Sequence, residues 1–246
     1  MPNSLPPTLA TWLRRANQHP LRSRLLLSGS TLIAAICAHA RVPNDIDYVV
    51  TGAYEYEILA LMMAEIAATP DVGNDLRLRQ IDEIVEYTEA FPGLRAELVG
   101  RDTDKMPRAF LVDLTFGDPL TVPPRAVAVP HVGSVLAVAP ESLFAWKVHA
   151  LVQFGPYCWR PKDIYDLYVL WREGGLNQLV LPEAIDIAFS SRGSTLDELD
   201  DFRMDDDWGL SDDGVERWNE FATMSNVELT FPTVRTEIRS VLDQLL

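Results

Sequence analysis

Apolar residues change their spacing several times along this chain, and each change predicts a change of element. Leu9 to Asn17, after a proline-rich start, carries apolar positions at helical spacing and predicts a short amphipathic helix. Residues 24–28 form an apolar run that stops at a Gly-Ser turn, as a buried strand does. A helix over 30–40 and a strand over 46–51 follow, and Glu55 to Ala68 then repeats Ile58, Leu59, Met62, Met63 and Ile66 along one helical stripe. Beyond a mixed polar stretch, Leu94–Val99 and Phe110–Phe116 read as strands. The second alternates Phe110, Val112, Leu114 and Phe116 against Leu111, Asp113 and Thr115. This order predicts an α/β (α+β) fold, with a mixed sheet flanked by helices.

From Pro140 the pattern turns helical. Glu141 to Phe154 and Pro161 to Trp171 predict two helices, with weaker ones over 182–191 and 215–223 and a last one over 233–246. We therefore expect an α/β domain over 1–139 and a helical domain over 140–246. In between, Asp197 to Asp213 holds nine carboxylates and reads as a solvated loop or, alternatively, as a surface for a basic partner.

Composition narrows the class. With 246 residues and 48% hydrophobic content the chain can bury a core as one large domain or two small ones. No apolar run approaches the roughly 20 residues of a membrane span, and Cys37 and Cys158 are too few for a disulfide scaffold. The expected setting is the cytoplasm. A secretory signal built on Arg22, Arg24, the apolar run from Leu25 and a small-residue site at Ala38-His39-Ala40 starts too late, and Ser28-Gly29-Ser30 interrupts its core. The net charge of -15 excludes a uniformly basic nucleic-acid binder. Residues 1–44 nevertheless hold five arginines (Arg14, Arg15, Arg22, Arg24, Arg41) and no carboxylate. They are either solvated helix-face charges or a side by which an anionic substrate is steered.

The candidate chemistry begins where the first acidic residues appear. Asp45 and Asp47, spaced i and i+2 at the start of a strand, point to one face and can share divalent cations. Gly29 and Ser30 open a helix whose free N–H groups favour phosphate. Asp102/Asp104 and Asp205/Asp207 repeat the Asp-x-Asp spacing in polar stretches and serve as internal controls. Asp113, on an apolar strand, needs compensation that a shared metal would supply, and three carboxylates around two cations would activate an attacking hydroxyl and stabilise a leaving pyrophosphate. Asp118 in a Gly-Asp-Pro turn is the reserve. In the helical half, Lys147 can meet phosphate as a point charge. Asp163 and Asp166, three apart on one helix face, could orient Lys147 or a metal-bound water. Capping of the helix that starts at Pro161 also accounts for Asp163. His131 and His149 lack ligand-spaced companions, and Trp159, Tyr165, Tyr168 and Trp171 read as helix-packing aromatics.

Taken in order, Gly29-Ser30-Thr31, Asn44-Asp45-Ile46-Asp47, FPGLRAELVG, VDLTFGDP, PESLFAWKVHALV and RPKDIYDLYVL resemble the AbiEii/AbiGii-type nucleotidyltransferases, the toxin half of abortive-infection toxin–antitoxin pairs. The resemblance runs from about residue 23 to 175. It implies a nucleotidyltransferase-fold domain followed by a helical domain, using a nucleoside triphosphate and Mg2+. By motif match, Gly29 and Ser30 would hold phosphates, Asp45 and Asp47 the metals, and Asp113 would be the third carboxylate. Lys147 would bind triphosphate and Asp163 would be the family's essential aspartate; Asp166, from its helix face and not from the resemblance, is a nucleotide-binding candidate. The chain departs from the family at Trp146, where an acidic residue usually precedes the lysine, and at Gly29-Ser30, where the family has paired glycines.

The expectation is thus a Mg2+-dependent enzyme that moves a nucleoside monophosphate from NTP to an acceptor. An RNA end such as that of tRNA comes first, then a protein side chain, then a small molecule such as an aminoglycoside, with a cognate antitoxin as partner. Lys147 and Asp163 are expected to face the Gly29-Ser30 turn across an interdomain cleft. The alternative is a catalytically weak nucleotide-binding or protein-interaction module of the same fold.

Overall fold

The structure, a computed structural model, describes residues 5–71, 75–84, 93–101 and 106–246. The chain divides into two compact units, Met1–Asp118 with Pro123–Val138, and Pro119–Val122 with Ala139–Leu246. The control pair Asp102/Asp104 lies outside the described residues.

The first unit is a mixed sheet of strands β1 (Leu25–Ser28), β2 (Ile46–Val50), β3 (Arg77–Ile84), β4 (Gly93–Arg101), β5 (Pro107–Thr115), β6 (Arg125–Val129) and β7 (Gly133–Ala137), in the order β3-β4-β5-β2-β1-β7-β6. β2 runs parallel to β5 and β1 parallel to β7, while the remaining pairs are antiparallel. The alternation foreseen for β5 is real: Val112 and Leu114 are buried in the core, as are Ile46 and Tyr48 of β2 and Leu94, Ala96 and Leu98 of β4. Helices α1 (Pro7–Gln18), α2 (Gly29–Ile36) and α3 (Tyr56–Ala68) complete the unit. α1 starts with proline at its first turn, where a missing N–H is harmless, and buries Leu9, Trp12, Leu13 and Ala16. Of the expected α3 stripe, Leu59, Met62, Met63 and Ile66 are buried, whereas Ile58 is exposed.

Several expectations shift. The second helix ends at Ile36, four residues early, because Cys37 turns extended and the chain then runs back to pair β2 against β1. Asp45 precedes β2 instead of lying in it. Arg24 belongs to a 3-10 turn over Arg22–Arg24, where its guanidinium donates to the carbonyls of Thr51 and Ala53. Phe116 falls just past the end of β5. Three strands had gone unread. β3 is largely exposed and polar, so it shows no core-facing alternation. β6 and β7 are five residues each and joined by a tight turn in which His131 and Gly133 take positive φ. The steering arginines also have structural duties: Arg14 pairs with Asp71 at 2.6 Å, and Arg15, buried, donates to the Ala67 carbonyl.

The second unit consists of α4 (Pro140–Cys158), α5 (Pro161–Glu173), α6 (Leu181–Ser190), α7 (Asp200–Met204), α8 (Asp212–Ser225) and α9 (Phe231–Leu245). Gly155, at φ 59° and ψ -173°, breaks the regular path of α4 just before Pro156. Trp159 lies at the centre, stacked on Phe231 at 4.1 Å and 15° and flanked by Trp208 and Trp218. The acidic segment expected as a loop contains α7 and a 3-10 turn over Leu196–Leu199, opened by a capping box between Thr195 and Glu198. Leu199, Phe202 and Trp208 are buried between its carboxylates. Arg203 pairs with Asp200 and Asp243, and Arg239 with Asp206. The control pair is taken up locally, with Asp205 Oδ1 accepting from the Asp207 N–H at 2.8 Å. Among the described residues no helix is long and apolar enough to cross a membrane.

Candidate active site

Strand register assembles the first cluster. Ser28 of β1 pairs with Asp47 of β2, Asp47 with Asp113 of β5, and Asp113 with Arg95 of β4. Laterally paired residues project from the same face of a sheet, and adjacent strands lie about 4.8 Å apart. Ser28, Asp47, Asp113 and Arg95 therefore form one polar row across four strands. The other face carries Tyr48, which shares a cavity of about 230 Å³ with Leu13 and Ala16 of α1.

The first turn of α2 closes on this row. Gly29 adopts φ +60°, and a Cβ there would stand 1.8 Å from Asp47 Oδ2 and 2.9 Å from Asp47 Cβ. Only glycine lets the carboxylate approach the backbone so closely. The next residue, Ser30, donates its hydroxyl to Asp45 Oδ1 at 3.1 Å, and Thr31 donates to the Asp45 carbonyl at 2.7 Å. Asp45 is thus fixed from α2, and Asp47 from the sheet. The expected juxtaposition of Gly29 and Ser30 with the Asp-x-Asp pair is present.

Asp113 is compensated differently from expectation. Arg95 grips both of its oxygens, Nε on Oδ1 at 2.7 Å and the terminal nitrogen on Oδ2 at 2.6 Å, the bidentate fork that fits a carboxylate. Among the described residues no group of three His, Cys, Asp or Glu side chains stands ready to hold a metal ion. The three-carboxylate centre is therefore not assembled as read from the sequence. Asp45 and Asp47 supply hard oxygen donors suited to Mg2+, and Asp113 lies in register with Asp47 but in the hands of Arg95. The reserve residue Asp118 meets the Thr115 hydroxyl at 3.4 Å.

Arg95 is the residue that sequence reading passed over. Its signal was available: Leu94, Ala96 and Leu98 alternate with Arg95 and Glu97, which marks a cation on the polar face of a strand.

The second unit holds its own polar cluster. Lys147 of α4 sits between Asp163 Oδ1 and Asp166 Oδ2 of α5, 2.9 Å from each, and Arg160 Nε meets Asp163 Oδ2 at 2.5 Å. Asp163 and Asp166 are 5% and 1% exposed, so this is a buried ion network. Burial alone would raise the Asp163 pKa, but Lys147 and Arg160 outweigh it and hold the carboxyl at about 2. Burial likewise opposes the charge on Lys147, and the two aspartates overcome it and push its pKa up. The loss of an acidic residue at Trp146 therefore does not leave Lys147 without partners. Asp163 is also in the first turn of α5, whose dipole favours it. Nearby, His149 is buried against Phe189, with Nε2 3.3 Å from the Ser194 hydroxyl.

A family model described as the nucleotidyl transferase AbiEii toxin of a type IV toxin–antitoxin system matches residues 11–238. Among solved structures, JHP933 from Helicobacter pylori is similar in fold, with a TM-score of 0.54 and 13% identity over 97% of this chain and 88% of that one. A second H. pylori structure, described as a candidate nucleotidyltransferase, is also 13% identical over 97% of this chain and 94% of that one, with a TM-score of 0.48. No curated protein matches in sequence.

Proposed function

The chain belongs to the AbiEii family of nucleotidyl transferase toxins of type IV toxin–antitoxin systems, and we propose that it transfers a nucleoside monophosphate from an NTP, with Mg2+, to the end of an RNA such as tRNA. The observation that carries this is the first turn of α2. Gly29 is stripped of a side chain so that Asp47 can lie against it, and Ser30 holds Asp45. A helix start, whose first N–H groups have no partner within the helix, beside two hard carboxylates is what a triphosphate and its counter-ion require. Mg2+ bound by Asp45 and Asp47 would supply charge neutralisation of the phosphates and a more acidic acceptor hydroxyl.

In this reading Gly29 and Ser30 bind phosphate oxygens and Asp47 keeps its aim because β1 and β5 flank it in register. Asp113 would be the third carboxylate, as the family resemblance implies. Lys147 and Asp163 belong to the catalytic set, as the family resemblance implies, and Asp166, paired with Lys147, to the nucleotide-binding one. A cognate antitoxin is the partner that the family name implies for this chain, and the cytoplasm its setting. One observation favours the rival, a weakly catalytic nucleotide-binding module: Arg95 occupies Asp113, and two aspartates neutralise Lys147.

The test is to offer each of the four NTPs, labelled at the α-phosphate, with Mg2+ to RNA, protein and small-molecule fractions. Label on RNA, lost in Asp47→Asn, is expected. Mg2+ with the favoured NTP should also raise Tm in the native chain and not in the variant, since a ligand of the folded state stabilises it by mass action. A Tm rise without transfer to any fraction would favour the rival, and an equal rise in Asp47→Asn would remove the site.

A further inference from the structure

We propose that Arg95 and a divalent cation exchange at Asp113, so that the third carboxylate is kept in reserve and joins the site only when Arg95 releases it. This inference rests on the cation site proposed above, at Asp45 and Asp47. Two observations converge on it. Asp113 is the lateral neighbour of Asp47 on a parallel strand, which puts both carboxylates on one face. Arg95 is the lateral neighbour of Asp113 on the other side and forks onto both of its oxygens, so a cation that chelates both oxygens from that side must displace the guanidinium.

The pair is built to open. Side-chain exposure is 43% for Arg95 and 20% for Asp113, so the guanidinium can move into water without unpacking the core. Contrast the Lys147 network, where lysine and both aspartates are 12% exposed or less and separation would strand buried charge. A half-exposed arginine on the carboxylate face has a second use once released. Its planar fork matches phosphate oxygens as well as it matches a carboxylate. Exchange would couple the two ligands: the cation takes Asp113, and Arg95 turns to the triphosphate. Arg95 is thus a positioning residue for Asp113 in the resting chain and a nucleotide contact in the loaded one.

The test uses the full chain and Mn2+ as probe, titrated without nucleotide and followed by the loss of the free-ion paramagnetic signal. Arg95→Gln should bind Mn2+ about tenfold more tightly than the native chain, the scale of one charged hydrogen-bonded contact removed from competition. The gain should vanish in Arg95→Gln/Asp113→Asn. Arg95→Lys, which keeps the charge and loses the fork, should fall between and covers the case in which the glutamine variant folds poorly. In the presence of saturating metal, Arg95→Gln should raise KM for NTP, the opposite direction from its effect on the cation. A merely structural arginine would weaken both. Unchanged Mn2+ affinity in both Arg95 variants, with binding lost in Asp47→Asn, overturns the exchange and spares the cation site. Mn2+ binding that survives Asp47→Asn, or is missing from the native chain, overturns both.

Discussion

Gly29→Ala perturbs the site through one methyl group. Two energies add. The backbone at φ +60° costs a residue with a Cβ about 1–2 kcal/mol. The methyl would also lie 1.8 Å from Asp47 Oδ2, 2.6 Å from Cγ and 2.9 Å from Cβ, so rotation of the carboxylate tip alone does not relieve it. Forcing the side chain off its rotamer adds about 0.5–1.5 kcal/mol, which brings the expected loss to about 2–3 kcal/mol in urea unfolding. The informative measurement is the cycle with Asp47→Gly, which removes every atom the methyl meets. In that background Gly29→Ala should cost only the backbone share, leaving a coupling of about 1 kcal/mol between the positions. Nucleotide transfer should fall by about 100-fold in Gly29→Ala, since a displacement near 1 Å at reacting groups has that effect. Additivity within about 0.3–0.5 kcal/mol would show that Asp47 does not rest on Gly29 and would refute the geometry from which the function was argued.

Lys147→Met should destabilise the chain by about 3–5 kcal/mol, because it leaves Asp163 and Asp166 buried without their ammonium; a loss under 1 kcal/mol in urea unfolding would contradict the network. Asp163 has a folded pKa of about 2 against an ordinary 3.8. It should contribute about 2 kcal/mol that is fully present above pH 4 and lost as pH falls through 2, so the stability gap to Asp163→Asn should narrow over that window. His149 runs in the same direction for a different reason: burial first, then Arg192, lowers its pKa from 6.5 to about 4 against a smaller opposing pull from Glu198. Protonation therefore favours the unfolded chain, stability should drop between pH 6.5 and 4, and His149→Gln should flatten that part of the Tm profile.

The candidate site was legible where chemistry is written locally. Gly29-Ser30 before a helix and Asp45/Asp47 before a strand each carry their meaning within a few residues, and the structure brings them together. The apolar alternation of β5 likewise places Asp113 on the polar face. What could not be read was register, which depends on pairings tens of residues apart. Arg95 and Asp113 are 18 positions apart and meet only because β4 and β5 pair with those two residues opposite. The supposed need of Asp113 for a metal was therefore answered by a neighbour that a single strand does not reveal. β3 escaped for a different reason: as an edge strand it has little core to face, so periodicity is absent. The segment 197–213 hid a helix because nine carboxylates outweigh Leu199, Phe202 and Trp208 in any composition reading, although those three do the packing.

Charge balance separates the two polar clusters by what they are able to do. In the second unit Lys147 and Arg160 face Asp163 and Asp166, two positive groups against two negative, all within 2.9 Å contacts and mostly buried. Removing Lys147 would strand two buried carboxylates, so its ammonium ties α4 to α5. The cluster in the first unit is more open, with Arg95 43% and Asp113 20% exposed. Arg95 holds Asp113, the Ser30 hydroxyl donates to Asp45, and Asp47 lies against Gly29. Neighbouring like charges are unfavourable unless something compensates them, and a divalent cation is one group that does so. Carboxylates gathered beside a helix N-terminus shaped by Gly29 are the arrangement on which the proposed metal-assisted phosphate chemistry is built.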